Sequence, residues 1–472
     1  MQPLWTFSEL SATLGSGPEG GVEQPIIGIS IDTRTLQAGD LFVALKDQRD
    51  GHDFVSSAFK AGAAAALVSE GYARQPTDGV LFRVTDTLKG LEALGRAARE
   101  RLSSIARVVA VTGSAGKTGT KEMLRACLAH LGATHASEKS YNNHWGVPLT
   151  LARMPRETQF GVFEIGMNHA DEIRPLTKMV RPHAAIITTV EAVHLEYFPS
   201  VEAIADAKGE IFEGLVPGGT AIIKHDNAYA NRLKAIAERC GAKAVTFGFG
   251  ANADVRGDDL KLDHDGSALT VRFGERCIPL RLAMPGRHIA ENALAVAAAI
   301  DASGVDVENA LSVLADLQPP SGRGARSLLH IEGGEALLID ESYNANPASM
   351  RAALATLASV PRQKFPRRIA VLGDMLELGA DALALHVGLK DAVEEAGIDV
   401  IFACGPQMKG LYEALPKSKK GGYASTSSLL QGTLLSNLRR GDVIMVKASN
   451  GTRLGSVVAA LKAQFGNGGS VS

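Results

Sequence analysis

Short apolar runs alternate with longer amphipathic segments over most of the chain. "RVVAVTG" (107–113), "FGVFEIG" (160–166), "AAIITTV" (184–190), "TAIIKH" (220–225) and "KAVTFGF" (243–249) are short and mostly apolar. They predict strands buried on both faces. "KTGTKEMLRACLAHLG" (117–132), "AIADAKGEIFEGL" (203–215) and "RHIAENALAVAAAIDASG" (287–304) predict helices, the first and last stopped by glycine. Such alternation implies a parallel sheet with helices on both sides. At "ALTVRFGERCIPLRLAM" (268–284) the period falls to two, which predicts antiparallel strands at a sheet edge.

The flanking regions are patterned differently. Before residue 86, "IIGISIDTR" (26–34), "LFVAL" (41–45), "AAALVS" (64–69) and "LFRVT" (81–85) predict short strands around a helix at "HDFVSSAFKAG" (52–62). A helix at "TLKGLEALGRAARERL" (87–102) leads onward. "LQPPSGRGARS" (317–327) is rich in Pro, Gly and Ser and predicts a linker or hinge. Beyond it, alternation resumes at "EALLIDE" (335–341), "PASMRAALATLASV" (347–360), "RRIAVLGDM" (367–375), "DALALHVGLKDAVEEAG" (381–397), "DVIFACG" (399–405) and "DVIMVKAS" (442–449). The expected fold class is α/β in three domains. These are a small mixed α/β domain over 1–85, a central parallel-sheet domain with a phosphate loop over 86–318, and a Rossmann-like domain over 319–472.

Composition narrows the function classes. The chain has 472 residues, 45% hydrophobic, and no run of eighteen uncharged apolar residues, so a membrane span is not expected. A formal net charge of −2 argues against broad attraction to nucleic acid or anionic lipid. Any anionic substrate must be held by local groups. Cys127, Cys240, Cys277 and Cys404 form no C-x-x-C pair, which offers no zinc or redox motif and suits a reducing compartment. "MQPLWTFSEL" shows no secretory pattern. Together these predict a cytoplasmic protein.

The most specific chemistry lies at "TGSAGKT" (112–118), between an apolar strand and a helix. The common nucleotide loop has four residues between its glycines. Here Gly113 and Gly116 have only two between them. Backbone N–H groups at a helix N-terminus point at a bound anion, and the helix dipole favours it. The loop residues Thr112, Gly113, Ser114, Ala115 and Gly116 are therefore phosphate-binding candidates. Lys117 is placed to reach the outer phosphates, and the Thr118 hydroxyl to ligate Mg²⁺. Glu164 ends an apolar strand, where ligand sites of open α/β sheets gather.

The shortened loop, with "KSYNNHWGVPLTL" (139–151), "FEIGMNHADEI" (163–173), "HLEYF" (194–198), "AKGEIF" (207–212), "GRHIAENALA" (286–295), "DESYNANPASM" (340–350) and "LGDMLELG" (372–379), resembles the ATP-dependent Mur ligases of peptidoglycan synthesis. The loop is similar also to that of their relatives, the folylpolyglutamate synthases. "SIDTRTLQAGDLFVAL" (30–45) resembles the UDP-substrate domain of the Mur ligases. The resemblance runs nearly the whole length in the same order.

The resemblance implies an enzyme that phosphorylates a carboxylate with ATP and transfers the acyl group to an amine. For the branch marked by "NNHWGVP" and "SYNANP", the implied substrates are UDP-N-acetylmuramoyl-tripeptide and D-alanyl-D-alanine, acted on by a monomer. Two Mg²⁺ sites are implied, with Thr118, Glu164, His194 and Lys208 as ligands and Lys208 converted to a carbamate. The implied catalytic set is Lys117, Glu164, His194 and Lys208. From its position alone Lys208 reads as an ordinary solvated helix lysine. Asn292 is expected at adenine, Arg323 at the ATP phosphates, and Asp340 at the ribose. Asp32, Thr33, Arg34, Asn142 and Asn143 are expected at the UDP substrate, and Asn344 and Asn346 at the dipeptide. "VKASNGTRLG" (446–455) departs from the K-G-S-R-type ending of relatives. A folylpolyglutamate synthase and a noncatalytic nucleotide-binding scaffold remain as alternative readings. The substrate-like N-terminus argues against the first, and Lys117, Thr118, Glu164, His194 and Lys208 occurring together argue against the second.

Overall fold

A computed structural model describes residues 3–138, 140–193, 195–263 and 265–466. They form three sheets, of four, nine and six strands, in chain order.

The nine-stranded sheet runs Arg276–Leu282, Ser267–Phe273, Val255–Leu262, Lys243–Gly248, Thr220–Lys224, Ala184–Ile187, Arg107–Thr112, Phe160–Glu164, Thr134–Ala136. Pairing is parallel except among the first three, which are antiparallel; the two-residue period over 268–284 predicts this for the first two. Val255–Leu262 escapes the sequence pattern because its "VRGDDLKL" is mostly polar and only Val255 and Gly257 are buried. Alternate residues of Arg107–Thr112 enter opposite cores. Val109 and Val111 pack with Met123 and Leu124 of helix Lys117–Leu131 and with helix Arg287–Ala302. Val108 and Ala110 pack with Val147, Ile173 and Ile204 on the other face. The strand is thus covered on both sides, as its uniform apolarity requires. It lies between Phe160–Glu164 and Ala184–Ile187, where the chain order of the strands reverses. Ligand crevices of open α/β sheets form at such switch points, outside the carboxyl ends of the strands.

The N-terminal sheet is wholly parallel, with strands Gly28–Ser30, Asp40–Val43, Ala65–Ser69 and Val80–Val84 in sequence order. Helix Phe7–Leu14, which the sequence pattern did not predict, starts at a capping box between Thr6 and Glu9. Helix Thr87–Glu100 buries Leu91, Leu94 and Ala98 in the N-terminal core, together with Leu149 and Ala152 of the central domain. The C-terminal sheet is ordered Ala325–Ile331, Gly334–Glu341, Asp442–Lys447, Arg367–Gly373, Val400–Cys404, Lys420–Ala424, parallel except for its first pair.

Three expectations need correction. The segment predicted as one helix over 203–215 is an α-helix, Val201–Gly209, that tightens to a 3-10 turn over Glu210–Gly214. The segment over 381–397 is a 3-10 turn and two short helices, broken at Gly388 and Leu389. The linker over 317–327 is shorter than its composition suggests, because Ala325 already pairs with Asp340. Gly322 and Gly324, at φ 77° and 100°, turn the chain just before that strand.

Candidate active site

The loop 113–116 joins strand Arg107–Thr112 to helix Lys117–Leu131 at the switch point. Gly116 has φ 81°, and a Cβ there would stand 2.7 Å from Asn292 Oδ1. Only glycine satisfies both the backbone and the space. The segment after strand Ala184–Ile187 fixes the loop from outside. Ser114 N donates to the Thr189 carbonyl at 2.9 Å, and Ser114 Oγ accepts from Glu191 N at 2.9 Å. Thr188 Oγ1 donates to the Ala115 carbonyl. Thr188 and Glu191 were not singled out from sequence, since a Thr and a Glu after a strand carry no distinctive spacing.

Lys117 Nζ donates to the Gly113 carbonyl at 2.7 Å, so the ammonium curls over its own loop. Desolvation lowers its pKa and Arg323 works the same way, while Glu164 and Glu377 oppose the shift. Thr118 Oγ1 donates to Glu164 Oε2 at 2.7 Å, and Asn142 Nδ2 donates to Glu164 Oε1 at 2.7 Å. Glu164 is 1% exposed. A buried hydroxyl and carboxylate in direct contact at the end of a phosphate loop are hard oxygen donors of the kind Mg²⁺ takes. That donor chemistry fits the expected metal.

Lys208 does not sit where a solvated helix lysine would. It is 1% exposed, on the inner face of helix Val201–Gly209. Burial, and after it the charge of Lys117, push its pKa well below that of an ordinary lysine. Burial thus favours the neutral amine over the ammonium at this position. His194 lies outside the described residues.

A cleft opens from the loop toward helix Arg287–Ala302 and the C-terminal domain. Gly116, Asn292, His288, Arg323, Glu341 and Lys447 are among its walls. Arg323 stacks on the Tyr343 ring at 4.3 Å, and Tyr343 Oη donates to Ser140 Oγ at 2.8 Å, joining the C-terminal and central domains. Lys447, 3% exposed, donates to Glu341 Oε2 at 3.1 Å and to the Asn344 carbonyl at 3.0 Å. Glu341 and Lys447 were not selected from sequence, because a strand-end Glu and a Lys in a divergent segment carry no motif. Asp340 is 2% exposed and is engaged by its own loop: its carboxylate accepts from Gly322 N, Ser321 Oγ, Ser342 N and Ser342 Oγ. The neighbouring Glu341, rather than Asp340, lines the cleft.

A second cleft continues from Lys117 past Asn142 to Asn344 and Asn346. Asn346 also caps helix Pro347–Ala358 through Ser349 N, and Asn344 Oδ1 accepts from Ala345 N. Asn143 Oδ1 accepts from Gly146 N at 2.9 Å, a local turn contact. In the N-terminal domain the Asp32 carboxylate accepts from Arg34 N, Nε and Nη2, holding an exposed guanidinium at the carboxyl end of the first strand, with part-exposed Thr33 between them.

The chain matches three family models: Mur ligase family, catalytic domain, over 25–129; Mur ligase middle domain over 111–300; and Mur ligase, glutamate ligase domain over 328–450. It is 37% identical over 464 residues to the UDP-N-acetylmuramoyl-tripeptide–D-alanyl-D-alanine ligase of Escherichia coli (strain K12), covering 97% of this chain and 98% of that one. The chain belongs to the Mur ligase family. The Rickettsia prowazekii (strain Madrid E) enzyme of the same name is 32% identical over 96% of this Mur ligase chain and 99% of its own. Crystal structure I of MurF from Acinetobacter baumannii superposes with a TM-score of 0.84 at 29% identity, over 97% of this chain and 99% of that one. The Thermotoga maritima MurF ligase solved with ADP shares the fold, with a TM-score of 0.76 at 24% identity over 93% and 97% of the two chains. The match over 25–129 brings the N-terminal sheet into the family. This favours a Mur ligase over a folylpolyglutamate synthase, as the first domain's sequence suggested.

Proposed function

We infer that this Mur ligase joins D-alanyl-D-alanine to UDP-N-acetylmuramoyl-tripeptide, with ATP giving ADP and phosphate through an acyl phosphate. The observation that carries the reading is the pair of contacts Lys117–Gly113 carbonyl and Thr118–Glu164–Asn142 at the switch point of the central sheet, with buried Lys208 in the electrostatic reach of Lys117. The near-full-length match to enzymes of that name supports the substrates.

The reaction unites two anions, so the site must neutralise charge before a carboxylate oxygen can attack the γ-phosphorus. The loop amides and Lys117 hold the phosphates. As phosphorus–oxygen bonding shifts to the substrate carboxylate, ADP leaves with the electrons of the broken bond. The neutral amine then attacks the acyl carbon, its nitrogen gives up one proton, and phosphate departs from the tetrahedral intermediate. Mg²⁺, when bound, supplies further charge neutralisation. Thr118, Glu164, His194 and carbamylated Lys208 are the proposed ligands across two sites.

The proposed division of labour follows the sheets. Residues 1–85, with Asp32, Thr33 and Arg34, bind the UDP moiety, assisted by Asn142 and Asn143. Residues 86–318 bind ATP through the loop and Asn292. Residues 319–472 close over ATP with Arg323, carried on the turn that Asp340 holds, and present Asn344 and Asn346 to the dipeptide. No helix among the described residues is long and apolar enough to cross a membrane. Four free thiols, two of them exposed, support a reducing cytoplasm, and the enzyme is proposed to act as a monomer.

Phosphate release measured with each substrate omitted in turn tests the reading. ATP, UDP-tripeptide (diaminopimelate or lysine form) and dipeptide should all be needed for turnover. Steady release without dipeptide, or with glutamate and a folate instead, would refute it.

A further inference from the structure

The amino substrate reaches the enzyme largely as an ammonium, since a peptide α-amine has a pKa of about 7.7–8.0. The cleft from Lys117 to the C-terminal domain contains one carboxylate among its described lining residues, that of Glu377. The other polar side chains there, including Asn142, Asn168, Asn344 and Ser449, are neutral apart from Lys117.

The fold forces Glu377 into this position. Strand Arg367–Gly373 is followed by Asp374, whose carboxylate accepts from Met408 N at 2.7 Å and Gln407 N at 3.3 Å. Met375 N donates to Nε2 of the fully buried His386 at 2.9 Å. Leu376 N donates to Ser449 Oγ at 3.0 Å, and Leu378 is 2% exposed. The residues on both sides are therefore pinned, and Glu377 turns between them at φ 63°. A left-handed glutamate is strained, and such strain persists where surrounding structure fixes it, often at ligand sites. The carboxylate lies in the electrostatic reach of Lys117, the residue at the phosphate end of the cleft, and of Tyr197.

We propose that Glu377 is the substrate-binding residue that receives the ammonium end of the incoming dipeptide. Among the described lining residues one cation and one carboxylate then divide the cleft: Lys117 marks the phosphoryl end, and Glu377 selects a cationic amine, which must lose a proton before it attacks, over neutral molecules of the same shape. This rests on the ligase reading above and adds the group that recognises the amine.

The test uses full-length enzyme saturated with a nonhydrolysable ATP analogue and UDP-tripeptide. Calorimetry compares the affinity of D-alanyl-D-alanine with that of propionyl-D-alanine, which lacks only the amino group. Wild type should prefer the dipeptide by roughly ten- to a hundred-fold, the scale of a lost charge-assisted hydrogen bond. Glu377→Gln should bring the ratio close to one, mainly by weakening the dipeptide. Glu377→Asp, which keeps the charge, should retain part of the preference. General damage to the cleft would weaken both ligands together and leave the ratio intact. A preserved ratio in Glu377→Gln overturns the proposal while leaving the ligase reading in place. Failure of wild type to bind the dipeptide at all overturns the ligase reading itself.

Discussion

Replacing Lys208 with methionine should make the enzyme more stable and inactive at once. The side chain is 1% exposed, and its burial is aggravated by the nearby charge of Lys117. Methionine fills similar space without an amine to desolvate. Removing a poorly compensated buried polar group is worth about 1–3 kcal/mol. At about 2–4 °C per kcal/mol for a domain of some 200 residues, the melting temperature should rise by several degrees.

The gain depends on pH with a definite sign. The folded-state pKa of Lys208 is depressed, whereas in the unfolded chain it is about 10.4. Between those two values the unfolded chain binds the extra proton, so wild-type stability rises with pH by about 1.4 kcal/mol per unit from this group. Methionine contributes no such term. The stability advantage of Lys208→Met should therefore shrink as pH rises toward about 10.4. The assay is calorimetric melting of both proteins, without nucleotide, in buffer depleted of carbon dioxide. A stability difference that does not change with pH would mean that Lys208 is charged in the fold, and the reasoning would fail. In the activity arm, Lys208→Met and Lys208→Arg should both lose ligation, because neither forms a carbamate. Acetate should restore part of the activity of Lys208→Ala, and full activity in Lys208→Arg would refute the carbamate role.

Further outcomes are expected elsewhere in the molecule. Lys117→Ala should remain folded and lose on the order of 10²-fold or more in turnover, measured by phosphate release. Gly116→Ala should fold less stably and lose ATP affinity in calorimetry, since its Cβ would meet Asn292 at 2.7 Å with φ at 81°. His183, whose Nδ1 accepts from Val108 N, has its pKa pushed down to about 4 by burial and then by Arg99 and Arg107. Its contribution to stability should be lost as pH falls from about 6.5 toward 4, and a flat melting profile over that window would contradict the assignment. Scattering profiles should contract when an ATP analogue and UDP-tripeptide bind, through motion at the turn around Gly322 and Gly324.

The sequence carried the central sheet clearly because its strands are buried on both faces and therefore read as unbroken apolar runs. It missed Val255–Leu262, where only alternate residues near one end are buried, and helix Phe7–Leu14, whose start depends on the Thr6–Glu9 capping pair. Loop residues were legible wherever backbone geometry restricts the residue type, as at Gly113 and Gly116. Lys208 was not legible from spacing, since burial of a lysine depends on what packs over the helix. Asp340 and Asn346 show the converse. Each has the right type for a ligand, and each also holds its own loop or helix start, a structural duty that spacing does not show. Glu377 lies within "LGDMLELG", but its proposed role depends on a backbone angle and on a cleft formed with distant segments.

The central claim is that the tripeptide carboxylate is phosphorylated before the amide bond forms. Labelling both oxygens of its terminal carboxylate with ¹⁸O and analysing the released phosphate by mass spectrometry tests this directly. The account predicts one ¹⁸O atom in each phosphate formed, carried over from the carboxylate when the acyl phosphate breaks down. Unlabelled phosphate accompanying a correctly ligated product would contradict it.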